Sequence, residues 1–183
     1  INWIGVVMSS NSVYIYALER EGHIWISKDS GSNWTETQVG GGKQDWSSIT
    51  TSSDGSVIYA TISSKTKNTT TGTTDYSGQI YISKNSGDTW EKITDNKVDG
   101  KYLTGITTSF NGNNVYTSYY TPSNQNTTVV FSNNFGSSWN ELSVKSFNII
   151  YAFCNSIAIN RNQTKCVIGV KSDYSNWSSA YQS

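Results

Sequence analysis

The sequence repeats itself, and this constrains its fold more than any other feature. NWIGVVMSSNSVYIYAL (residues 2–18) lies over DWSSITTSSDGSVIYAT (45–61) without a gap. YLTGITTSFNGNNVYTS (102–118) follows with one insertion, and NSIAINRNQTKCVIGV (155–170) is a looser fourth copy. A short apolar run, GHIWIS, GQIYIS or TVVFS, trails each of the first three copies, and it leads into an octet: SKDSGSNW (27–34), SKNSGDTW (83–90) or SNNFGSSW (132–139). A period of 43 to 57 residues marks a supersecondary unit that buries its apolar face only by stacking on its neighbours.

Each unit reads as four short strands. The steps Asp54–Gly55 and Asn111–Gly112 suit the left-handed backbone of a tight hairpin between the first two strands. The apolar run is the third strand, and the octet's tryptophan opens the fourth. Four antiparallel strands at this period are the signature of a β-propeller blade. Serine, threonine, asparagine and glycine dominate, aromatic residues make up 13%, Pro122 is the single proline, and no helical periodicity is visible, all of which fits an all-β protein. The expected organisation is one propeller region over residues 1–183, with blades at about 2–38, 45–94 and 102–143 and a partial blade at about 147–183. Such a set is either an incomplete ring, part of one of roughly six to eight blades, or a small four-bladed ring. A missing segment or a further chain would complete the open form, because open sheet edges are unsatisfied. Since the chain opens on Ile1, already in a strand pattern, its N-terminus is expected to be processed or cut from something longer.

The octets resemble Asp-box (BNR) repeats, whose pattern is Ser-x-Asp-x-Gly-x-x-Trp. Ser27, Asp29, Gly31 and Trp34 match at every defined position. Ser83, Gly87 and Trp90, and Ser132, Gly136 and Trp139, match with Asn85 and Asn134 in place of the aspartate. The resemblance implies a propeller, and through it a kinship with sialidases, xyloglucanase-type glycoside hydrolases, sortilin-like receptors and photosystem II assembly factors. Because this repeat decorates proteins of unrelated function, it does not by itself choose among them. The Asp-to-Asn exchange assigns the octet a structural role: an amide can accept hydrogen bonds in a turn as a carboxylate does, but it cannot serve as a general acid or a metal carboxylate.

In a meandering blade the octets share a face with the first hairpin, so the longer segments collect on the opposite face, where function is sought. These segments are SSKTKNTTTGTTDYSG (63–78) and YYTPSNQNTT (119–128), with the connections VGGGKQD (39–45) and TDNKVDGK (94–101). They offer Asp75, Tyr76, Tyr119, Tyr120, Asp45 and Asp99 as ligand-binding candidates, aromatic rings beside carboxylates suiting a glycan or protein partner.

Other chemistries are disfavoured. Thirteen basic residues balance thirteen acidic ones, which argues against nucleic acid as a partner, and no apolar run is long enough for insertion into a membrane. Arg20 and Arg161 are the only arginines, too few for a sialidase's three-arginine cluster. Asp45, Asp75, Asp95 and Asp99 could supply a glycosidase pair, but aspartates beside glycine or asparagine are ordinarily turn formers. His23, the single histidine, reads as a strand residue facing the core. No cofactor, metal or catalytic residue is expected. Cys154 and Cys166 form either one disulfide or two core thiols. Sequons at Asn33, Asn68, Asn126, Asn162 and Asn176 would accept glycans in a secreted eukaryotic protein. The resulting expectation is a non-catalytic, secreted or surface-exposed binding or structural module, such as a component of a virion or cell-surface assembly; an Asp-box glycoside hydrolase fragment and a photosystem-type assembly factor are the alternatives.

Overall fold

The computed structural model describes residues 1–123, 126–142, 152–160, 166–172 and 181–182. They form four antiparallel sheets in strict sequence order: β1 (Trp3–Met8) to β4 (Thr35–Glu36), β5 (Trp46–Thr51) to β8 (Glu91–Ile93), β9 (Tyr102–Thr108) to β12 (Asn140–Glu141), and β13 (Ala152–Ile159) to β15 (Tyr181–Gln182). Between the ends of these sheets lie β2 (Ile15–Glu19), β3 (Ile24–Ser27), β6 (Ile58–Lys67), β7 (Thr74–Ser83), β10 (Val115–Thr121), β11 (Asn126–Ser132) and β14 (Cys166–Ser172). No α-helix occurs among the described residues, and none of their helical segments is long and apolar enough to cross a membrane.

The core lies between sheets. β5 packs on β1 and β2, β9 on β5, β6 and β7, and β13 on β9, β10 and β11. One cluster joins Tyr16, Leu18 and Ile24 of the first blade to Trp46, Ile49 and Ile58 of the second. Another joins Tyr59, Ile80 and Ile82 to Leu103, Ile106 and Val130. The Tyr16 hydroxyl donates to Gly55 O (2.6 Å) and the Tyr59 hydroxyl to Gly112 O (2.8 Å), so each tyrosine ties its blade to the first hairpin of the next. Burial pushes both phenols well above the usual tyrosine range.

A β-bulge recurs in every blade's first strand, between Trp3 and Gly5, Trp46 and Ser48, Leu103 and Gly105, and Cys154 and Ser156. It fixes the structural equivalence of the four copies, the looser fourth included. The fold is thus a β-propeller whose ring stays open: Val6 is 68% exposed, whereas its equivalents Ile49, Ile106 and Ile157 are buried by a preceding sheet. A closed four-bladed ring would have covered Val6, so that alternative is set aside.

Two segments expected as irregular loops are regular instead. The β6–β7 ladder runs from Ile58↔Ser83 out to Lys67↔Thr74, and β10–β11 out to Thr121↔Asn126. Mixed polar arms, with Tyr76 and Thr66 in the first and Thr121 and Thr127 in the second, continue the backbone ladder past the body of the sheet. Asn68 closes the first extension, its Oδ1 accepting the backbone N–H groups of Thr70 and Thr71.

Candidate functional site

The octets are built alike, atom for atom. Ser27, Ser83 and Ser132 each donate a hydroxyl to the Oδ1 two residues on and accept the N–H of Gly31, Gly87 or Gly136 at 2.8–2.9 Å. The same Oδ1 accepts the backbone N–H of Asn33, Thr89 or Ser138. Trp34, Trp90 and Trp139 each donate Nε1 to the octet glycine's carbonyl at 3.1 Å. Ser30, Ser86 and Phe135 precede those glycines in the left-handed region, and their N–H groups bond to Val13, Ser56 and Asn113, welding octet to first hairpin. The second side-chain atom explains the exchange at the third position: Asp29 Oδ2 accepts from Asn33 Nδ2, whereas Asn85 and Asn134 donate Nδ2 to the hydroxyls of Thr89 and Ser138. The Asn33 side-chain amide, its backbone N–H and the Ser27 hydroxyl hold the Asp29 carboxyl below the usual carboxylate range. A general acid needs the opposite shift, so this geometry is that of a staple.

On the opposite face a cleft of about 660 Å³ opens where the first strands of three blades converge. Ile4, Trp46, Ser47, Leu103 and Thr104 form its wall, and Arg20, Glu21, Asp45, Lys65 and Tyr102 its mouth. Backbone bonds between Gly22 and Gln44, with Trp46 Nε1 donating to Gly22 O (3.0 Å), bring the tight β2–β3 turn beside Asp45. Lys65 pairs across the ladder with Tyr76, whose ring meets Tyr102 edge-on at 5.3 Å. Arg20, Glu21, Asp45 and Lys65 are exposed, and none of them forms an ion pair among the described residues. The mouth therefore presents two cations and two carboxylates beside an aromatic pair.

The expected ligand residues divide. Asp45 belongs to this mouth, Tyr76 adjoins it only through its ring contact with Tyr102, and Tyr120 stands opposite Tyr102 in the β9–β10 ladder. Asp75 is exposed farther out on the hairpin, opposite Thr66. Tyr119 is a core residue, 9% exposed, with Lys101 Nζ 5.6 Å above its ring. Its side chain alternates inward on β10 while that of Tyr120 does not. Asp99 turns away to pair with Lys92 at 3.1 Å, and Asp95 caps its own turn by accepting the Lys97 N–H. Arg20, Glu21, Lys65 and Tyr102 complete the mouth; all are local turn or strand residues whose convergence depends on the ring.

His23 is 7% exposed and bridges Thr37 O and Glu36; it is buried as expected, but it sits in the turn one residue before β3 and not in the strand itself. No group of three metal-ligating side chains occurs among the described residues. In the β13–β14 ladder Cys154 faces Val170 and Cys166 faces Ile159. That offset is roughly 13 Å along the strands at about 3.3 Å per residue, far beyond the Cα reach of a disulfide. Asn33 commits its amide to Asp29, Asn162 and Asn176 lie outside the described residues, and Asn126 is placed at the start of β11.

The fold is shared with solved structures. A chain of a nidogen/laminin complex superposes with a TM-score of 0.64 at 17% identity, covering 91% of this chain and 56% of that one. A GH74 enzyme of Niastella koreensis gives 0.61 at 18%, covering 97% and 24%. YCF48 gives 0.65 at 13% as the Cyanidioschyzon merolae protein, covering 93% and 48%, and 0.60 at 8% when bound to D1 peptide, covering 100% and 53%. This chain therefore spans about half the length of most of these neighbours, and a quarter of the GH74 enzyme. No curated protein matches the sequence. The profile of the family described as Sortilin-Vps10 (sortilin, neurotensin receptor 3) matches residues 4–182, nearly the whole chain, and the chain belongs to that family.

Proposed function

We propose that this chain is a non-catalytic binding module, displayed outside the cell or on a surface, that holds a segment of a partner protein at the mouth of the cleft. The observation that carries the reading is the cluster of Arg20, Glu21, Asp45 and Lys65, uncommitted to one another and flanked by Tyr102 and Tyr76. Charges of both signs beside rings suit a polypeptide, which offers carboxylates, ammonium groups and backbone amides together. Two structural neighbours are seen with protein or peptide, one in a complex of nidogen and laminin and the other bound to D1 peptide. The test is to pan a phage-displayed random peptide library against the protein. Recovered peptides should lose binding to Lys65→Glu and Asp45→Lys, and a library that yields none sensitive to these changes contradicts the reading.

Glu21 and Asp45 on one cleft also favour a second reading, a glycan site or the remnant of a glycoside hydrolase. A glycan array and a reducing-sugar assay on plant and microbial polysaccharides, each run with Tyr76→Ala and Asp45→Asn, distinguish it from the first. Surface display is supported by Asn68, a sequon at a hairpin tip. In a secretory eukaryotic host Asn68 should carry glycan, while Asn33, whose amide is committed to Asp29, should not.

A further inference from the structure

We infer that the junction between the first and second blades holds a site for an uncharged sugar ring, separate from the cleft. A cavity of about 670 Å³ lies between the outer strands of these two blades, and it shares no lining residue with the cleft. The common build of the octets puts this junction in register with the next one, residue for residue. At the second junction Ile93 plugs the space: a Cβ on Gly136 would meet Ile93 Cδ1 and, at 3.7 Å, Trp139 Cζ2, and Trp139 is 3% exposed. Thr37 stands where Ile93 does, three residues after the octet tryptophan, and it turns its hydroxyl back to Ile24 O at 3.0 Å. What an isoleucine fills at one junction is thus open at the other. Trp90, the counterpart of Trp139, is only half-buried and lines the opening.

The walls differ in the same sense. Where the second junction has Lys92, Ser137 and Val130, the first has Glu36, Asp88 and Tyr81. The fold closes the second junction without these groups, so packing does not call for them and they are available for recognition. Trp90 commits its Nε1 to Gly87 O, and the Tyr81 hydroxyl donates to Gln79 Oε1 at 3.1 Å. Both rings are thereby fixed, and what they offer the cavity is carbon. The rim carboxylates each have an internal donor on one oxygen: Asp88 Oδ1 takes Lys28 Nζ (2.6 Å) from across the junction, and Glu36 Oε1 takes Gln38 Nε2 (3.1 Å) with His23 Nε2 at 3.4 Å. Asp88 Oδ2 and Glu36 Oε2 make no bond among the described residues. Spare acceptors around fixed aromatic carbon suit a ligand with hydroxyl donors on its rim and C–H groups on its face, which is a pyranose. A cationic ligand would have to compete with Lys28 for Asp88, and an acidic sugar would meet two like charges.

The test is an array of neutral, sialylated and uronic-acid oligosaccharides, followed by titration of a neutral binder against tryptophan fluorescence. Thr37→Ile copies the plug of the second junction, so it should keep the circular dichroism spectrum and weaken the binder at least about tenfold. Glu36→Ala, a change at an exposed side chain, should weaken it as well. Tyr76→Ala and Asp45→Asn, at the cleft, should leave it unchanged, which separates this site from a glycan bound there. An array with no neutral binder, a preference for sialylated or uronic-acid sugars, affinity indifferent to Thr37→Ile and Glu36→Ala, or loss on the cleft variants instead would each overturn the inference.

Discussion

Gly87 and Gly31 hold the same place in two octets and have nearly the same backbone, with φ of +86° and +87°. An alanine at either pays the left-handed penalty of about 1–2 kcal/mol. Their surroundings differ because only Gly87 has a preceding blade. A Cβ there would collide with Ile26 Cδ1, with Ile26 Cγ1 at 3.5 Å and Tyr16 Cε1 at 3.8 Å behind it, whereas a Cβ on Gly31 meets only Ile15 of its own blade at 3.6 Å. The clash is with the far end of the Ile26 side chain, which lines a cavity of about 670 Å³ together with Gly87 and can turn toward it, so overpacking adds about 1 kcal/mol at Gly87 alone. Gly87→Ala should therefore cost about 2–3 kcal/mol and Gly31→Ala about 1–2 kcal/mol. Urea unfolding by tryptophan fluorescence and circular dichroism measures both. Equal midpoint shifts would refute the interlocking of Ile26 and the octet glycine.

Two further predictions concern hydrogen bonds. Asp29→Asn replaces a charge-assisted hydrogen bond from Asn33 Nδ2 with a weaker amide–amide one, which Asn33 makes by turning its amide over, and should lower the melting temperature modestly; adding Asn33→Thr recreates the pairing of Asn85 with Thr89 and should restore no more than that loss. Because hydrogen bonds depress the Asp29 carboxyl in the folded state, its contribution is present above the ordinary aspartate value near ~3.9 and is lost as pH falls through the lowered folded value. The double variant should show a shallower acid limb in a melting-temperature series. At the alkaline end the sign is reversed: the raised Tyr59 phenol is protonated in the fold and ionises more readily in the unfolded chain, so stability falls as pH climbs above about 10. Tyr59→Phe should flatten that limb and cost about 1–3 kcal/mol at neutral pH by orphaning the Gly112 carbonyl.

The blade pattern was legible because a hairpin's requirements are local: Asn and Asp beside glycine, a hydroxyl two residues before, and alternating apolar residues between. The octet's structural role was legible for the same reason, since Asn85 and Asn134 stand where a carboxylate would be needed for chemistry. The mouth of the cleft was only half legible. Arg20 and Glu21 lie in a four-residue turn that looks inert in sequence, and they meet Lys65 and Tyr102 only because first strands converge radially. Tyr119 and Tyr120 are adjacent in sequence yet fall on opposite sides of β10, and the strand's extension beyond its expected end decides which one is buried. The polar stretch at residues 63–78 carried little strand signal, because its threonines cluster at 69–71 and 73 in the tip while the paired arms, 63–67 and 74–78, are mixed polar residues with one threonine each.

Most directly, the division of labour between the two faces is tested by titration calorimetry of one recovered peptide against charge reversals on each. Lys65→Glu and Arg20→Glu, at the cleft mouth, should weaken binding at least about tenfold, equivalent to roughly 1.4 kcal/mol. Lys28→Glu, on the octet face beside Asp88, should leave it unchanged. Binding that is lost on Lys28→Glu and indifferent to Lys65 and Arg20 would mean that the octets, and not the cleft, carry the function.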